Sequence, residues 1–247
     1  MKRIFMLLML ISLNCLAQQT TIYSIGDSTM ADKSEPEVNP ERGWGQMLPQ
    51  FFTEAVKVDN RAVNGRSTRS FINEKRWEAI LKVIKSGDYV FIQFGHNDEK
   101  FEDSTRYTNP HTAYRHNLIK FVTESRAKGA IPVLFSSIVR RNFNEKGVLI
   151  DTHGDYPLET RLVAMEYHVP FVDLGYLSEV LEMSYGPEKS KELHLHFKPG
   201  EIPFYPKGKA DDTHLCEKGA TAIANLALNE IKLLNDPSLD KLKKGMK

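Results

Sequence analysis

Serine, histidine and aspartate stand in this chain in an arrangement that permits nucleophilic catalysis. Ser28 lies in Ile25-Gly26-Asp27-Ser28-Thr29, and His214 closes Asp211-Asp212-Thr213-His214. A serine hydroxyl is a weak nucleophile until a base takes its proton. His214 is the candidate base. Asp211, three residues earlier, is placed to fix the imidazole tautomer and stabilise its charged form, with Asp212 as the alternative partner. Attack on an ester carbonyl creates an oxyanion, which needs preorganised donors. The candidates are the backbone N–H of Ser28, the backbone N–H of Gly65 in Asn64-Gly65-Arg66-Ser67, and the amide of Asn97 in Phe94-Gly95-His96-Asn97-Asp98. Glycine at 65 lets the backbone approach the reacting oxygen where a Cβ would hinder it. Asp27 is expected only to brace its turn.

Each of these residues has a plainer reading. Ser28 alone reads as a helix N-cap; with His214 and Asn97 present, the nucleophile is the better reading. His194, His196 and His214, with Asp211 or Asp212, have a spacing compatible with zinc. The same spacing fits a binding loop with one catalytic histidine, and on that reading no metal or cofactor is needed. His96 and His153 read as structural or substrate-facing. Arg140 and Arg141 follow the fourth apolar run. One of them is a candidate partner for a uronate carboxylate, which suits guanidinium geometry, and a solvated loop is the alternative. His194, His196 and Tyr205 are further candidate substrate contacts. Tyr205, Phe204 and Phe197 either stack on sugar rings or anchor their own loop.

The elements that must position these groups are legible as periodicity. Five apolar runs stand out, Thr21–Ile25, Val56–Asn60, Tyr89–Phe94, Ile131–Ser136 and Val169–Leu174, and most are nearly continuous, as in strands buried on both faces. Helical spacing joins Ile72, Trp77, Ile80, Leu81 and Ile84. It recurs at Tyr114, Leu118, Phe121 and Val122, ending near Gly129, and again from Glu217 to Leu234. Strands alternating with helices predict an α/β, three-layer doubly wound domain with a five-stranded parallel sheet. In such a sheet, ligands bind beyond the carboxyl ends of the strands at the switch in strand order. With the order 2-1-3-4-5, Ser28 and Asn97 face one crevice. Two stretches read as irregular, Ala31 to Arg42 and Gly186 to Thr213, the second holding Pro187, Pro199, Pro203 and Pro206. The tail from Asp236 reads as a solvated, Lys-rich terminal helix.

The four segments resemble, in order, the signature blocks of the SGNH (GDSL-type) hydrolases, and the resemblance covers nearly the whole chain after residue 17. Ala62-Val63-Asn64-Gly65-Arg66-Ser67, Phe94-Gly95-His96-Asn97-Asp98 and Asp211-Asp212-Thr213-His214 are similar to the versions found in the rhamnogalacturonan acetylesterase branch. So are Arg140-Arg141-Asn142-Phe143 and Asp151-Thr152-His153-Gly154-Asp155-Tyr156. The resemblance implies the flavodoxin-like SGNH fold, a Ser-Asp-His triad and removal of acetyl groups from pectic polysaccharide. No Gly-x-Ser-x-Gly elbow surrounds Ser28, which argues against the α/β-hydrolase fold. The rival functions are a lipase or thioesterase on the same fold, a non-catalytic carbohydrate-binding relative, and a phosphate binder. The last is disfavoured because the first loop holds a single glycine.

Composition bounds the rest. The chain has 247 residues, 41% hydrophobic and 26% charged, with 33 Lys+Arg against 32 Asp+Glu. No basic excess is available for a nucleic-acid partner. Lys2 and Arg3 precede an apolar run from Ile4 to Leu13, and Cys15-Leu16-Ala17 offers a cleavage site. This predicts a signal peptide over 1–17, a single domain over 18–247 and a secreted or periplasmic location. The run is short for a bilayer span, so no stable membrane insertion is expected. Lipidation at Cys15 is the alternative; cleavage after Ala17 leaves Cys216 alone and no internal disulfide. A monomer acting on an acetylated polysaccharide is expected.

Overall fold

The computed structural model describes residues 19–247, so the signal-peptide expectation and Cys15 lie outside the described residues. The strands are β1 (Thr20–Gly26), β2 (Glu41–Arg42), β3 (Val56–Asn60), β4 (Tyr89–Gln93), β5 (Ile131–Phe135), β6 (Phe171–Val172), β7 (His194–Phe197) and β8 (Lys209–Cys216). The α-helices are α1 (Thr68–Asn73), α2 (Arg76–Leu81), α3 (Arg115–Ala127), α4 (Tyr156–Glu166), α5 (Leu174–Lys189), α6 (Glu217–Leu233) and α7 (Asp240–Lys244). Five strands pair in parallel in the order β3-β1-β4-β5-β6, which is the doubly wound order expected from the sequence.

Strand alternation builds two cores from one sheet. Tyr89 and Phe91 of β4 and Val133 and Phe135 of β5 enter one core with Trp44, Leu48 and the α6 residues Ile223, Ala227 and Ile231. Val90, Ile92 and Leu134 enter the other with Phe71, Trp77, Phe121 and Val163 from α1 to α4. Every residue of β4 is buried, which explains why that strand reads as a continuous apolar run. Burying one such side chain contributes about 1.5–3 kcal/mol, so the packed faces hold the strand ends where the loops begin.

Three expectations need correction. The helical spacing from Ile72 to Ile84 is not one helix: the chain breaks at Lys75, at φ +58°, between α1 and α2. The tail is not solvated, because Leu239 and Leu242 are fully buried in the core beneath α6. The stretch Gly186 to Thr213 is not one irregular loop. It holds the end of α5, a 3-10 turn (Ser190–Leu193), β7 and most of β8. Strands β7 and β8 pair antiparallel, and β2 adds to β8 through Glu41↔Cys216 and Arg42↔Leu215. The prolines sit outside these strands, where no ladder N–H is required.

Candidate active site

The nucleophile loop leaves β1 through a turn braced by Asp27. Its Oδ1 accepts from the Thr29 N–H at 2.9 Å and from Thr29 Oγ1 at 2.8 Å. Asp27 is fully buried, and its Oδ2 lies 3.4 Å from Nδ1 of His96. Burial pushes the His96 imidazole down to about 4, so the ring is neutral near pH 7. Burial alone raises the Asp27 carboxyl, yet the His96 and Thr29 contacts bring it to about 2. The charge attraction between the pair operates only where His96 is protonated, so near neutrality the Thr29 donors hold Asp27 ionised.

His214 reaches this loop from the second sheet. Its Nε2 lies 3.0 Å from Ser28 Oγ, and its Nδ1 lies 3.0 Å from Asp211 Oδ2. The other carboxylate oxygen of Asp211 accepts from the backbone N–H groups of Thr213 at 3.0 Å and His214 at 2.9 Å. Lys209 Nζ lies 3.2 Å from Asp211 Oδ2. Burial pushes the Asp211 carboxyl up, but the bonds from His214 outweigh it and hold the group well below the usual carboxylate range. The register supplies the aim. Leu195 pairs with Asp211 while His194 pairs with Leu215, so Asp212, Thr213 and His214 bulge out of the ladder. Such bulges re-aim side chains beside active sites. Asp212 faces elsewhere: its Oδ1 is 2.7 Å from Arg141 Nη1 and 2.7 Å from His196 Nε2. Of the two candidate partners, Asp211 is the one that meets the His214 ring.

The oxyanion candidates sit on neighbouring strand ends, after β3, β1 and β4. Among the described residues, the N–H groups of Ser28 and Gly65 donate to no protein acceptor. Asn97 donates one amide hydrogen to the Arg66 carbonyl at 3.2 Å, which leaves its second free, and its Oδ1 accepts from Arg106 Nη1 at 3.4 Å. Gly65 adopts φ +74°, and a Cβ there would find its nearest neighbour, Arg106 Nη1, at 3.9 Å. The left-handed backbone at 65 favours glycine, independently of any approach to the reacting oxygen. Just beyond it, Ser67 and Ser70 form a reciprocal capping box that starts α1 and fixes the exit of this loop. Asp98, pushed up to about 7 by burial against hydrogen bonds from Thr68 and Thr108, ties the β4 loop to α1.

Several predicted substrate contacts are engaged within the protein. Arg141 is buried, and its guanidinium donates to Ser190 Oγ at 3.0 Å, to Asp212 and to the Pro187 carbonyl. Arg140 pairs with Glu99 and donates to Thr152 Oγ1 at 3.0 Å. His194 is buried, with Nε2 2.6 Å from Glu182 Oε1 on α5 and Nδ1 3.2 Å from the His214 carbonyl. His194 and His196 thus turn to different partners, Glu182 and Asp212, and neither ring joins His214 in a metal-ligand set. His153 braces the same region, bonding Glu99 at 2.9 Å and the Ile138 carbonyl at 2.8 Å. Tyr205 packs 5.9 Å from the Phe197 ring and 5.0 Å from Phe204, so this trio holds its own loop together.

Lys33 escaped the sequence reading. Its side chain is 2% exposed, and its ammonium donates to the Ser28 carbonyl at 2.6 Å and to Asn64 Oδ1 at 2.7 Å, with Glu41 Oε1 at 2.8 Å. It fastens the nucleophile loop to the Asn64-Gly65 loop and to β2. Lying in a segment without periodicity, it left only one signal: a lysine five residues past the candidate nucleophile.

A family model described as the GDSL-like lipase/acylhydrolase family matches residues 24–222. The chain is 43% identical to rhamnogalacturonan acetylesterase RhgT of Bacillus subtilis (strain 168), over 90% of this chain and 93% of that protein. It is 29% identical to a rhamnogalacturonan acetylesterase of Emericella nidulans, over 85% of this chain and 84% of the other. The crystal structure of YxiM from Bacillus subtilis superposes with a TM-score of 0.73 at 31% identity, covering 87% of this chain, which spans 56% of the YxiM chain. An acetylxylan esterase from Geobacillus stearothermophilus, at 17% identity, shares the fold with a TM-score of 0.59, covering 85% of this chain and 93% of its own.

Proposed function

This chain belongs to the GDSL-like lipase/acylhydrolase family and is a carboxylic ester hydrolase, and we propose that it removes O-acetyl groups from a rhamnogalacturonan-type pectic polysaccharide with Ser28, His214 and Asp211 as its triad. The observation that carries this reading is the hydrogen-bonded chain Ser28–His214–Asp211, at 3.0 Å per link, ending beside unpaired backbone donors.

The chemistry follows from those atoms. Ser28 Oγ attacks the acetyl carbonyl while His214 Nε2 takes its proton. His214 Nδ1–H donates to Asp211, which stabilises the resulting imidazolium. The oxyanion collects hydrogen bonds from the Ser28 and Gly65 N–H groups and the free amide hydrogen of Asn97. His214 then returns its proton to the departing sugar oxygen, leaving an acetyl-enzyme. The same imidazole activates a water that releases acetate and restores Ser28.

The polysaccharide preference is supported by the 43% identity to RhgT, which spans nearly both chains. The test is acetate release from acetylated rhamnogalacturonan, acetylated xylan and short- and long-chain esters. Preference for rhamnogalacturonan is the expected result; equal rates on long-chain esters favour a lipase. We also propose export through residues 1–17. N-terminal sequencing of the mature protein should begin at Gln18, whereas a lipid-modified Cys15 would point to an anchored form.

A further inference from the structure

His214 is held twice. Asp211 fixes its ring, and a second contact fixes its main chain: Nδ1 of His194 on β7 lies 3.2 Å from the His214 carbonyl oxygen. The opposite nitrogen of the same ring, Nε2, lies 2.6 Å from Glu182 Oε1 on α5. The two contacts form a line from helix to base, Glu182–His194–His214. That line meets the bulge at its far end. The near end is anchored separately: the Arg141 guanidinium bonds the Asp212 carboxylate, and the Arg141 backbone N–H donates to the Asp212 carbonyl at 2.8 Å.

Packing does not account for a histidine at this position. Its side chain is fully buried, and its chain neighbours Leu193 and Leu195 are buried as well. An apolar residue would fill the space without the cost of desolvating two ring nitrogens. Glu182 is buried too, and its Oε2 meets no donor among the described residues, so His194 is the one hydrogen-bonding partner of that carboxyl there. Exchanging such a buried pair for apolar residues is often neutral or stabilising, so stability alone gives no reason for it. The contacts do define an arrangement of protons. A carbonyl oxygen only accepts, so Nδ1 of His194 carries a proton and donates it to His214. One further proton lies between Nε2 and Oε1, because a carboxylate and a bare ring nitrogen 2.6 Å apart would repel. Glu182 thereby holds the ring at one nitrogen while the other is aimed at the His214 main chain.

We propose that His194, held by Glu182, is a positioning residue for the base: its Nδ1–H fixes the main chain of His214, so that Nε2 of His214 stays within reach of Ser28 Oγ. The assignment rests on the reading of His214 as the general base. Asp211 can hold the His214 ring in place only if the main chain that carries the ring is itself fixed. The bulge imposes that requirement. The register jumps from Leu195↔Asp211 to His194↔Leu215, and the intervening residues leave the regular ladder. A side-chain donor on the facing strand supplies the hold that the ladder gives elsewhere.

The test separates the two nitrogens of His194. An asparagine amide nitrogen reaches about where Nδ1 of histidine stands, and a glutamine amide nitrogen about where Nε2 stands. On a small acetyl ester, His194→Gln should lower kcat by about 10- to 100-fold with KM little changed, as for a base displaced by up to about 1 Å. His194→Asn should recover most of that loss, because it keeps a donor to the His214 carbonyl. Both variants lose the imidazole, so the difference between them reports the donor and not the packing, and thermal melts give the folded fraction of each. Glu182→Gln, whose amide can still bond Nε2, should lose less kcat than Glu182→Leu. In a His214→Ala background no base remains to be aimed, and His194→Gln should change the residual rate by less than about twofold. Equal kcat within either pair of variants, a loss confined to KM, or the same loss repeated in the His214→Ala background overturns the assignment. The reading of His214 as base is judged by His214→Ala alone, and a rate near wild type there would end it whatever His194 does.

Discussion

Two regions deliver the halves of the proposed active site by different physics. The parallel sheet carries Ser28, Gly65 and Asn97 on strand ends held by apolar packing on both faces. The small antiparallel sheet carries Asp211 and His214 on a bulge held by polar contacts: Arg141 with Asp212, His194 with Glu182, and Lys209 with Asp211. Apolar burial is non-directional and fixes a platform, whereas hydrogen bonds and ion pairs fix an orientation. The nucleophile needs a fixed place; the base needs a fixed tautomer and direction.

Breaking the polar half should cost rate more than stability. Asp211→Asn leaves the His214 ring free to take the wrong tautomer, and kcat should fall by about 10⁴. Asp212→Asn should cost far less, because Asp212 faces Arg141 and His196. Comparable losses in the two variants, measured on one small acetyl ester, would remove Asp211 from its special position. On the parallel sheet, Asn97→Ala should lower kcat by about 10²–10³ with KM little changed, as for an oxyanion donor. A loss confined to KM would make Asn97 a ground-state contact.

One substitution from each region separates orientation from packing. Arg141→Met unties Asp212 from Arg141, and a misplacement of the bulge near 1 Å costs about 10² in kcat. Phe121→Ala empties part of the packed layer, where Phe121 meets Trp77, Phe71 and Phe94. It should destabilise by about 3–5 kcal/mol while the folded fraction keeps its rate. Thermal melts beside kcat separate the two, and the reverse pattern would contradict the division of labour. Lys33→Met should lower kcat about tenfold by releasing the Ser28 and Asn64 loops from each other, with partial rescue in Lys33→Arg.

The smallest expected effect is on acid stability. The Asp211 carboxyl is held below its unfolded value, which for aspartate is about 3.9. Its stabilising contribution is therefore fully present above that value and is lost as pH falls below it. Wild-type melts should lose this increment below about pH 4, and Asp211→Asn should not. Parallel melting curves for the two proteins down to pH 3 would contradict the assignment.

The same contrast decides what the sequence made legible. β4 reads as a strand because every residue in it is buried, and Asn97 follows it as Ser28 follows the largely buried β1; Gly65 follows β3, an edge strand in which only Val56 is buried. β7 and β8 are short and mixed in polarity; β8 alternates partly buried and exposed positions, and their pairing spans a proline-bearing turn. Their order comes from partners distant in the chain, as when Arg141 bonds Asp212 and Glu182 bonds His194. Periodicity carries no record of such contacts. For the same reason, Arg140, Arg141 and His194 read as candidate substrate contacts although protein acceptors already engage them, and Lys33 carries no signal in the sequence pattern.

In the proposed mechanism Ser28, activated by His214, is the attacking group. The most direct measurement is mass-spectrometric mapping of the adduct left by a serine-directed fluorophosphonate on the wild type and on His214→Ala. A single adduct is expected on the peptide containing Ser28, formed in step with loss of activity and strongly slowed in His214→Ala. Full inactivation with the label on another residue, or an unlabelled Ser28 in an inactivated enzyme, would contradict it.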